Sequence, residues 1–480
     1  MSTLNALPSA SADAQATPAK RIPSVRWALV SLALCTLLSS LATSIANVGL
    51  PALAQAFDAS FQQAQWIVLA YLLATTTLIV SVGRLGDITG RRRLLLVGIT
   101  VFTLSSLLCG VASALWLLIA ARAAQGLGAA IMLALAMAFV GETVSKERTG
   151  SAMGALGTMS AVGTALGPSL GGVLIAAFGW RSMFLAIVPL GLVTFALAQR
   201  HLPTDRRSLD ATPPQFDNVG TLLLALTLAA YALAMTMGHG QFGALNAALL
   251  SAVIVGAGLF VFAQARAQSP LIRLTMFRNS VLGCSLVMSV LVATVVMTTF
   301  VVGPFYLSRG LGLNEAQVGA VMAVGPVISI ATGIPSGRIV DRLGAPSMVI
   351  LGLALMAAGS FALAAMPASF GIAGYLVGIA VMSPGYQLFQ AANNTVVMAD
   401  VRPDQRGVTS GILNLSRNLG LITGAAAMGA IFAAASAARD ITSASADAIA
   451  QGMHVTFAVA GVLMAIALVI AVTCRTRTSR

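Results

Sequence analysis

The sequence predicts an all-α membrane protein that crosses the bilayer fourteen times. Of its 480 residues, 58% are apolar and only 9% are charged, and the mean hydropathy is +0.92. A soluble domain carries about 25% charged residues, so this chain has too few polar groups to cover a surface in water. The apolar runs are also too long, and alternate too little, for the strands of a membrane β-barrel. The composition therefore excludes a soluble enzyme and a disordered chain.

Each span is identified as an apolar window of about 20 residues, the length of helix that crosses a bilayer. Residues 1–26 are interpreted as a cytoplasmic tail, because no signal-peptide cleavage site accompanies the first apolar run. The predicted spans, in chain order, are 27–50, 65–83, 94–112, 115–139, 150–177, 182–200, 218–237, 246–265, 281–307, 317–337, 347–366, 371–397, 408–436 and 453–474.

The distribution of basic residues supports this even number of spans. With the N-terminus inside, 22 of the 27 Lys and Arg residues fall in inside segments and 3 in outside segments. Because cytoplasmic loops retain Lys and Arg, the split places both termini in the cytoplasm. The net charge of +13 is explained by topology, and nucleic acid is not expected as a partner. The cysteines are scattered, so we expect no disulfide framework, and we expect neither a metal nor a cofactor.

The chain repeats itself after about 255 residues. A shift of 254 residues places Gly83–Gly90 on Gly337–Gly344, and a shift of 257 places the glycines of the fifth span on those of the thirteenth. This agreement indicates two related halves, which is a plan typical of transporters. The predicted units are a tail at 1–26, a six-helix half at 27–200, a linker with two additional helices at 201–280, a second six-helix half at 281–475 and a tail at 476–480.

The inside loop after the second span carries the motif Gly83-Arg-Leu-Gly-Asp-Ile-Thr-Gly-Arg-Arg-Arg93. Its glycines permit a tight turn, and its acid can cap a helix or pair with a nearby arginine. The partial copy in the second half favours a paired latch over an ordinary basic loop. The candidate gating residues are Gly83, Asp87, Gly90, Arg91, Asp341 and Arg342.

The fourth span holds a charged residue, Arg122, with Gln125 on the same helix face. A charge in mid-membrane is costly and is by default a functional hypothesis. None of the 14 acidic residues lies near the middle of a span. Arg122 and Arg417, in the thirteenth span, are the candidate coupling residues. The alternative for Arg122 is that neighbouring helices simply satisfy its guanidinium.

Polar residues at helical spacing line one face of the first and the twelfth spans. In lipid such a face must point toward protein or a water-filled cavity. With Arg122 and Gln125, these residues are the candidate substrate-cavity residues: Thr43, Asn47, Gln387, Gln390 and Asn394. The alternative is hydrogen bonding between helices.

The fifth span carries a different pattern, which predicts close packing and a bend: Gly163, Gly167, Pro168, Gly171 and Gly172.

Together these motifs resemble the major facilitator superfamily over about residues 27–475, and the span count resembles its fourteen-span drug:proton antiporter branch of EmrB/QacA type. The resemblance implies a major facilitator fold with two helices inserted between the halves. It also implies a gating role for Gly83–Arg93, proton coupling for Arg122–Gly128 and export for the glycines of the fifth span. One position departs from the family: Ala42 replaces the acid that serves cation recognition or protonation.

The resemblance implies an exporter of drugs or toxic amphipathic small molecules in a bacterial inner membrane, driven by protons through alternating access. With an arginine and no central acid, neutral or anionic substrates are expected over lipophilic cations. We expect a monomer, and a periplasmic adaptor is left open as a partner. Two alternatives remain: a uniporter or importer of a metabolite, and a membrane-embedded enzyme. No paired carboxylates or His cluster supports the enzyme, so no catalytic residue is assigned.

Overall fold

The computed structural model is a bundle of long helices, and it describes residues 25–143, 149–203, 217–237, 243–267, 270, 280–399, 406–436 and 444–478. The helices are α1 (Val25–Val48), α2 (Leu50–Ala56), α3 (Phe61–Thr89), α4 (Arg91–Val111), α5 (Leu115–Thr143), α6 (Thr149–Phe178), α7 (Arg181–Leu185), α8 (Ile187–His201), α9 (Asn218–Thr236), α10 (Ala244–Arg266), α11 (Ser280–Phe305), α12 (Glu315–Leu343), α13 (Ala345–Ala365), α14 (Gly371–Ala399), α15 (Arg406–Thr423), α16 (Gly429–Ala435) and α17 (Ala446–Thr478). Two π-helical segments follow α11 and α15, at Tyr306–Gly310 and Gly424–Met428.

Thirteen of the described helical segments are long and apolar enough to cross a membrane. This confirms the predicted all-α membrane fold, and each of the thirteen overlaps one predicted span. The remaining predicted span, 65–83, lies in α3, which has 29 residues but is not among the thirteen. The fourteenth crossing stays a prediction.

The repeat read from the sequence appears in the way α3 and α12 begin and end. Each has 29 residues and begins with a capping box, Ser60 with Gln63 in α3 and Asn314 with Gln317 in α12. Each ends at a glycine with positive φ, 94° at Gly90 and 86° at Gly344. A side chain is strained in that conformation, so glycine is required at both turns. Local chemistry thus sets equivalent helix ends in the two halves.

The N-terminal half comprises α1–α8 and the C-terminal half α11–α17. We call the end of the bundle at which α1 ends the distal end, and the opposite end the proximal end. At the distal end the ring of Phe61 packs edge-on against Phe305 of the other half, with ring centres 4.8 Å apart. Its centre lies 5.6 Å from that of Phe432, also of the other half. This aromatic contact joins the two halves.

The inserted helices α9 and α10 form a hairpin at the side of the bundle. Asp217 caps α9 and its other carboxylate oxygen accepts a hydrogen bond from Gln264 of α10, at 2.7 Å. α9 packs against α3, whereas only 6% of the apolar window of α10 is buried in the protein. The outer face of α10, including the 75% exposed Ile254, therefore suits contact with lipid.

One expectation from the cysteines is wrong. Cys284 of α11 and Cys474 of α17 are joined by a disulfide. The two residues are 190 positions apart and follow no spacing motif, so only the packing of α11 against α17 reveals the pair.

Candidate functional site

Arg122 lies in the interior of the N-terminal half and is fully buried. Its Nε donates a hydrogen bond to the carbonyl oxygen of Ile67 on α3, at 3.0 Å. Its Nη1 donates to the carbonyl oxygen of Ala42 on α1, at 3.1 Å, and to the side chain of Gln125. Nη2 has no hydrogen-bond partner. One guanidinium therefore binds α1 and α3 to α5, and it retains an unused donor group.

Aromatic rings and uncharged groups, rather than a carboxylate, surround this charge among the described residues. The Arg122 guanidinium carbon lies 4.4 Å from the ring centre of Tyr71 and 6.0 Å from that of Phe184. Both distances are within the range of a cation–π interaction, which is strong where water is absent. The Tyr71 hydroxyl donates to the carbonyl oxygen of Ser39 at 2.8 Å, which fixes the ring. The position of Ala42, where the family has its acid, is thus in direct contact with Arg122.

Gln125 extends the chain of hydrogen bonds from Arg122 to a third neighbouring helix, α4. Its amide nitrogen donates to the hydroxyl of Ser106 on α4, at 2.7 Å, while its oxygen accepts from Arg122. The equivalent serine of the C-terminal half, Ser360, instead contacts the sulfur of Met382 at 3.7 Å. At the repeat offset of 257 residues, the counterpart of Arg122 is Ile379. The buried charge and its polar relay therefore belong to one half only.

The polar residues of α1 divide into two groups. Ser40 and Ser44 face α6: the Ser40 hydroxyl lies 2.6 Å from that of Ser160, and Ser44 donates to the carbonyl oxygen of Gly163 at 3.3 Å. These two match the alternative of hydrogen bonding between helices. Thr43 is half-buried, and Asn47 is 1% exposed with its side-chain oxygen lacking a hydrogen-bond partner. Among the described polar residues of α1, Asn47 is therefore the one with an unused side-chain hydrogen-bond acceptor.

On α14 the predicted polar face is distributed unevenly. Gln387 and Gln390 are half-buried, and Gln390 donates to the Tyr386 hydroxyl at 3.2 Å. Asn394 is exposed, whereas its neighbour Asn393 is fully buried and donates to the Ser289 hydroxyl of α11 at 3.0 Å. Asn393 was not among the residues predicted from the sequence, because the spacing from the two glutamines leads to Asn394. The Asn-Asn dipeptide itself was the available signal.

The glycines of α6 bring it unusually close to two other helices. A Cβ at Gly163 would lie 2.3 Å from the Leu37 carbonyl oxygen of α1, and one at Gly167 would lie 1.9 Å from the Ser44 hydroxyl. On another face, a Cβ at Gly172 would lie 2.8 Å from the Cα of Gly319 in α12. Gly171 lies against α1 as well, and α6 continues through Pro168 to Phe178. α6 is thus packed between its own half and the other one.

The candidate gating residues lie at the proximal ends of α3 and α12. The surroundings of Gly83 and the side chain of Asp87 are outside the described part of the structure. Gly90 forms the turn, and Arg91 is half-buried with its Cγ 3.2 Å from where a Cβ on Gly86 would lie. Their counterparts Asp341 and Arg342 are exposed, as is Arg417 on α15. The structure therefore brings Arg122 and Gln125 together, and it leaves Arg417 apart from them.

A cavity of about 210 Å³ lies elsewhere, at the distal end between the halves. Its polar lining comes from Gln55 of α2 and from Ser308, Arg309 and Glu315 of the other half. None of the predicted cavity residues lines it. Among the described residues no group of His, Cys, Asp or Glu side chains is placed to hold a metal ion.

Comparison with known proteins agrees with this architecture. The model of the Major Facilitator Superfamily matches residues 32–425 and 286–480. The transporter YebQ of Escherichia coli is 31% identical over 84% of this chain and 88% of its own length. The riboflavin transporter RibZ of Clostridioides difficile is 28% identical over 85% of this chain and 88% of its own length. The multidrug efflux pump LfrA of Mycolicibacterium smegmatis is 30% identical over 86% of this chain and 82% of its own length.

Solved structures share the fold at low sequence identity. The nucleoside transporter NupG superposes with a TM-score of 0.65 at 10% identity, covering 93% of this chain and 99% of NupG. The human organic anion transporter MFSD10 gives a TM-score of 0.64 at 15% identity, covering 94% of this chain and all of MFSD10. The two-half bundle, its matched helix ends and the family match lead to one conclusion: the chain is a membrane transporter, not an enzyme, and it belongs to the Major Facilitator Superfamily.

Proposed function

We propose that this transporter exports amphipathic small molecules from the cytoplasm by proton antiport, as a member of the fourteen-span branch. The observation that carries export is α6, whose glycine faces pack on α1 and, at the distal end, on Gly319 of the other half. Relatives at about 30% identity that are named as drug efflux pumps support the same direction. The bundle sits in a bacterial inner membrane with both termini cytoplasmic, and it works as a monomer.

A closed distal end is compatible with the proposed direction. The described contacts of Phe61, Gln65 and Gly172 with the other half all lie at the distal end, which is the outer end in the proposed topology. In this state substrate enters from the cytoplasmic, proximal side. Rocking of the halves then separates these contacts and releases the substrate outside. A periplasmic adaptor is not needed for that step.

The proposed coupling centre is Arg122 with Gln125. Through its hydrogen bonds to carbonyl oxygens of α1 and α3, the guanidinium transmits a change of charge in this half to both helices. Because Ala42 supplies no carboxylate beside the guanidinium, the site repels cations, and neutral or anionic amphiphiles are the preferred substrates. Asn47, Gln387 and Gln390 supply polar contacts to the substrate.

The test of antiport is a substrate-induced pH change in proteoliposomes that contain the purified protein. We expect acidification or alkalinisation that follows the direction of substrate movement, and loss of transport without loss of folded protein in Arg122→Ala. Arg181→Ala is the matched control, because Arg181 also stacks on an aromatic ring, at 4.4 Å from Trp180, but is exposed. Transport without proton movement contradicts the antiport proposal.

The test of substrate charge is Ala42→Asp, which restores an acid at the residue that Arg122 contacts. We expect this variant to gain export of a lipophilic cation such as ethidium in cells that lack other pumps. Ala46→Asp is the control, because Ala46 is equally buried one turn further along α1 and none of the Arg122 hydrogen bonds reaches it. Efficient ethidium export by the unmodified protein contradicts the proposed preference.

A second candidate is a transporter of one metabolite without proton antiport. It is favoured by Ala42, because this position lacks the acidic side chain that is protonated in the family. The riboflavin transporter RibZ among the relatives favours it as well. Uptake of a labelled metabolite into vesicles that a protonophore leaves unchanged supports this candidate over export.

A further inference from the structure

At the distal end, the inserted helix α9 contacts both halves next to the place where α3 meets the C-terminal half. Two adjacent residues of α3 point to different partners there. Gln65 donates from Nε2 to the carbonyl oxygen of Ala425 in the C-terminal half, at 2.8 Å. Trp66 donates from Nε1 to the hydroxyl of Thr236 near the end of α9, at 3.1 Å. Tyr231, one and a half turns back on α9, contacts Thr423 of the C-terminal half.

The Gln65 contact depends on the π-helical segment Gly424–Met428. A π turn interrupts the regular hydrogen-bond ladder of a helix, and such turns are often found at functional sites. Here the Ala425 carbonyl within it accepts the bond from Gln65, which is 2% exposed. A Cβ at Gly429 would lie 1.7 Å from the Gln65 Nε2, so only glycine leaves room for this side chain. The bond therefore joins the halves inside a closed contact.

Between the described residues, two side-chain hydrogen bonds attach α9 to α3, and one of them adjoins this contact. The Thr236 bond is next to Gln65 in sequence and lies at the distal end. The second joins the hydroxyls of Ser81 and Thr221 at 2.9 Å, nearer the proximal end. Because both bonds are to α3, the hairpin is tied to the N-terminal half. Among the described residues, α9 also contacts the segment Gly424–Met428 of the C-terminal half.

We propose that α9 is a clamp on the distal gate: the Trp66–Thr236 bond holds α3 where Gln65 reaches Ala425, and so stabilises the distal-closed state. The inserted hairpin thereby sets the conformational equilibrium of the transporter in addition to filling space in the membrane. The proposal rests on the alternating-access step of the proposed function and on no particular substrate or ion.

The experiment measures the distance between spin labels at Ala56→Cys and Asp447→Cys, two exposed distal positions in opposite halves. The native Cys35 and Cys109 are buried and Cys284 is bonded to Cys474, so the full chain can be labelled as it is. In lipid nanodiscs without substrate, we expect Thr236→Val to raise the ratio of distal-open to distal-closed molecules about fivefold, the effect of one lost hydrogen bond. Gln65→Leu should raise it at least as much.

Thr221→Val is the matched control. Thr221 and Thr236 are on the same helix, bond to the same neighbour, and each also donates to the carbonyl oxygen four residues earlier, at 2.8 Å. We expect this control to leave the distance distribution unchanged. An unchanged distribution in Thr236→Val overturns the clamp, as does an equal shift in both threonine variants, which means general loosening of the hairpin. A shift in Gln65→Leu alone also overturns it, because α9 then takes no part.

These outcomes are separable from the proposed function. The distances are measured without substrate and without a proton gradient, so a failure to detect proton antiport leaves the clamp standing. Conversely, drug export with intact proton coupling and no response to Thr236→Val removes the clamp and keeps the exporter.

Discussion

Replacing Gly172 by alanine should open the distal end of the transporter. Gly172 of α6 and Gly319 of α12 face each other across the two halves with no side chain between them. An added Cβ would lie 2.5 Å from the Glu315 carbonyl oxygen, which is about 0.9 Å short of the 3.4 Å at which ordinary contact begins. The obstacle is backbone, so no rotamer change relieves it. The two helices have to move apart.

The cost falls on one conformation only, because the contact exists only when the distal end is shut. Forcing an additional methyl group into a packed interior costs about 1–3 kcal/mol. Since each 1.4 kcal/mol is a factor of ten, the ratio of distal-open to distal-closed molecules should rise about 5- to 150-fold. The helix itself does not suffer, because alanine is a better helix former than glycine.

Spin labels at Ala56→Cys and Asp447→Cys report the change as a growing population at longer distance. Gly157→Ala is the control, because it adds the same methyl group to the same helix where nothing lies within 4 Å. We expect no shift for it and a small gain in stability. Distances that stay the same in Gly172→Ala, or that change equally in Gly157→Ala, would refute the assignment of this glycine pair to the gate.

Three other changes have defined outcomes. Gly163→Ala places a methyl group 2.3 Å from a carbonyl oxygen of α1 within one half, so it should lower the free energy of unfolding by about 1–3 kcal/mol without shifting the label distances. Ser106→Ala removes the acceptor at the end of the polar relay and should slow proteoliposome transport, whereas Ser360→Ala, its counterpart in the other half, should not. Asn393→Ala should cost about 1–3 kcal/mol of stability in thermal unfolding because a buried hydrogen bond is lost, while Asn394→Ala stays within about 0.5 kcal/mol.

The sequence was sufficient for features that depend on many residues or on the backbone. Hydropathy located thirteen of the spans, most of them to within about five residues, because a bilayer selects for length and apolarity together. The spacing of Gly83–Gly90 and its copy identified the repeat, and Gly90 and Gly344 then adopt the same positive φ. The buried arginine was also predictable, since a charge inside an apolar run has few possible roles.

Which way a single side chain points was harder to predict. Adjacent residues on a helix differ by about 100° in direction, so the spacing that selected Asn394 carried no signal for the buried Asn393 beside it. Ser40 and Ser44 bond to α6 because glycines on α6 let its backbone approach, and that depends on two helices at once. The π-helical segment at Gly424–Met428 carries no periodic signal. The contact that it makes with Gln65 is therefore visible only in three dimensions.

The repeat has kept its backbone features and changed its polar side chains, and this difference bears on mechanism. Caps, turn glycines and close glycine contacts recur in both halves, because the same helices must pack in the same way. The counterpart of Arg122 is Ile379, and the counterpart of Gln65 at an offset of 254 is Gly319. One side of the distal contact thus rests on glycine against glycine, which is held by packing alone, while the other is held by a directional hydrogen bond. Since packing can slide but a hydrogen bond must break, we expect the side formed by α3 and Gly424–Met428 to set the barrier to opening. The proposed coupling centre at Arg122 adjoins the same helix, through its hydrogen bond to Ile67 of α3.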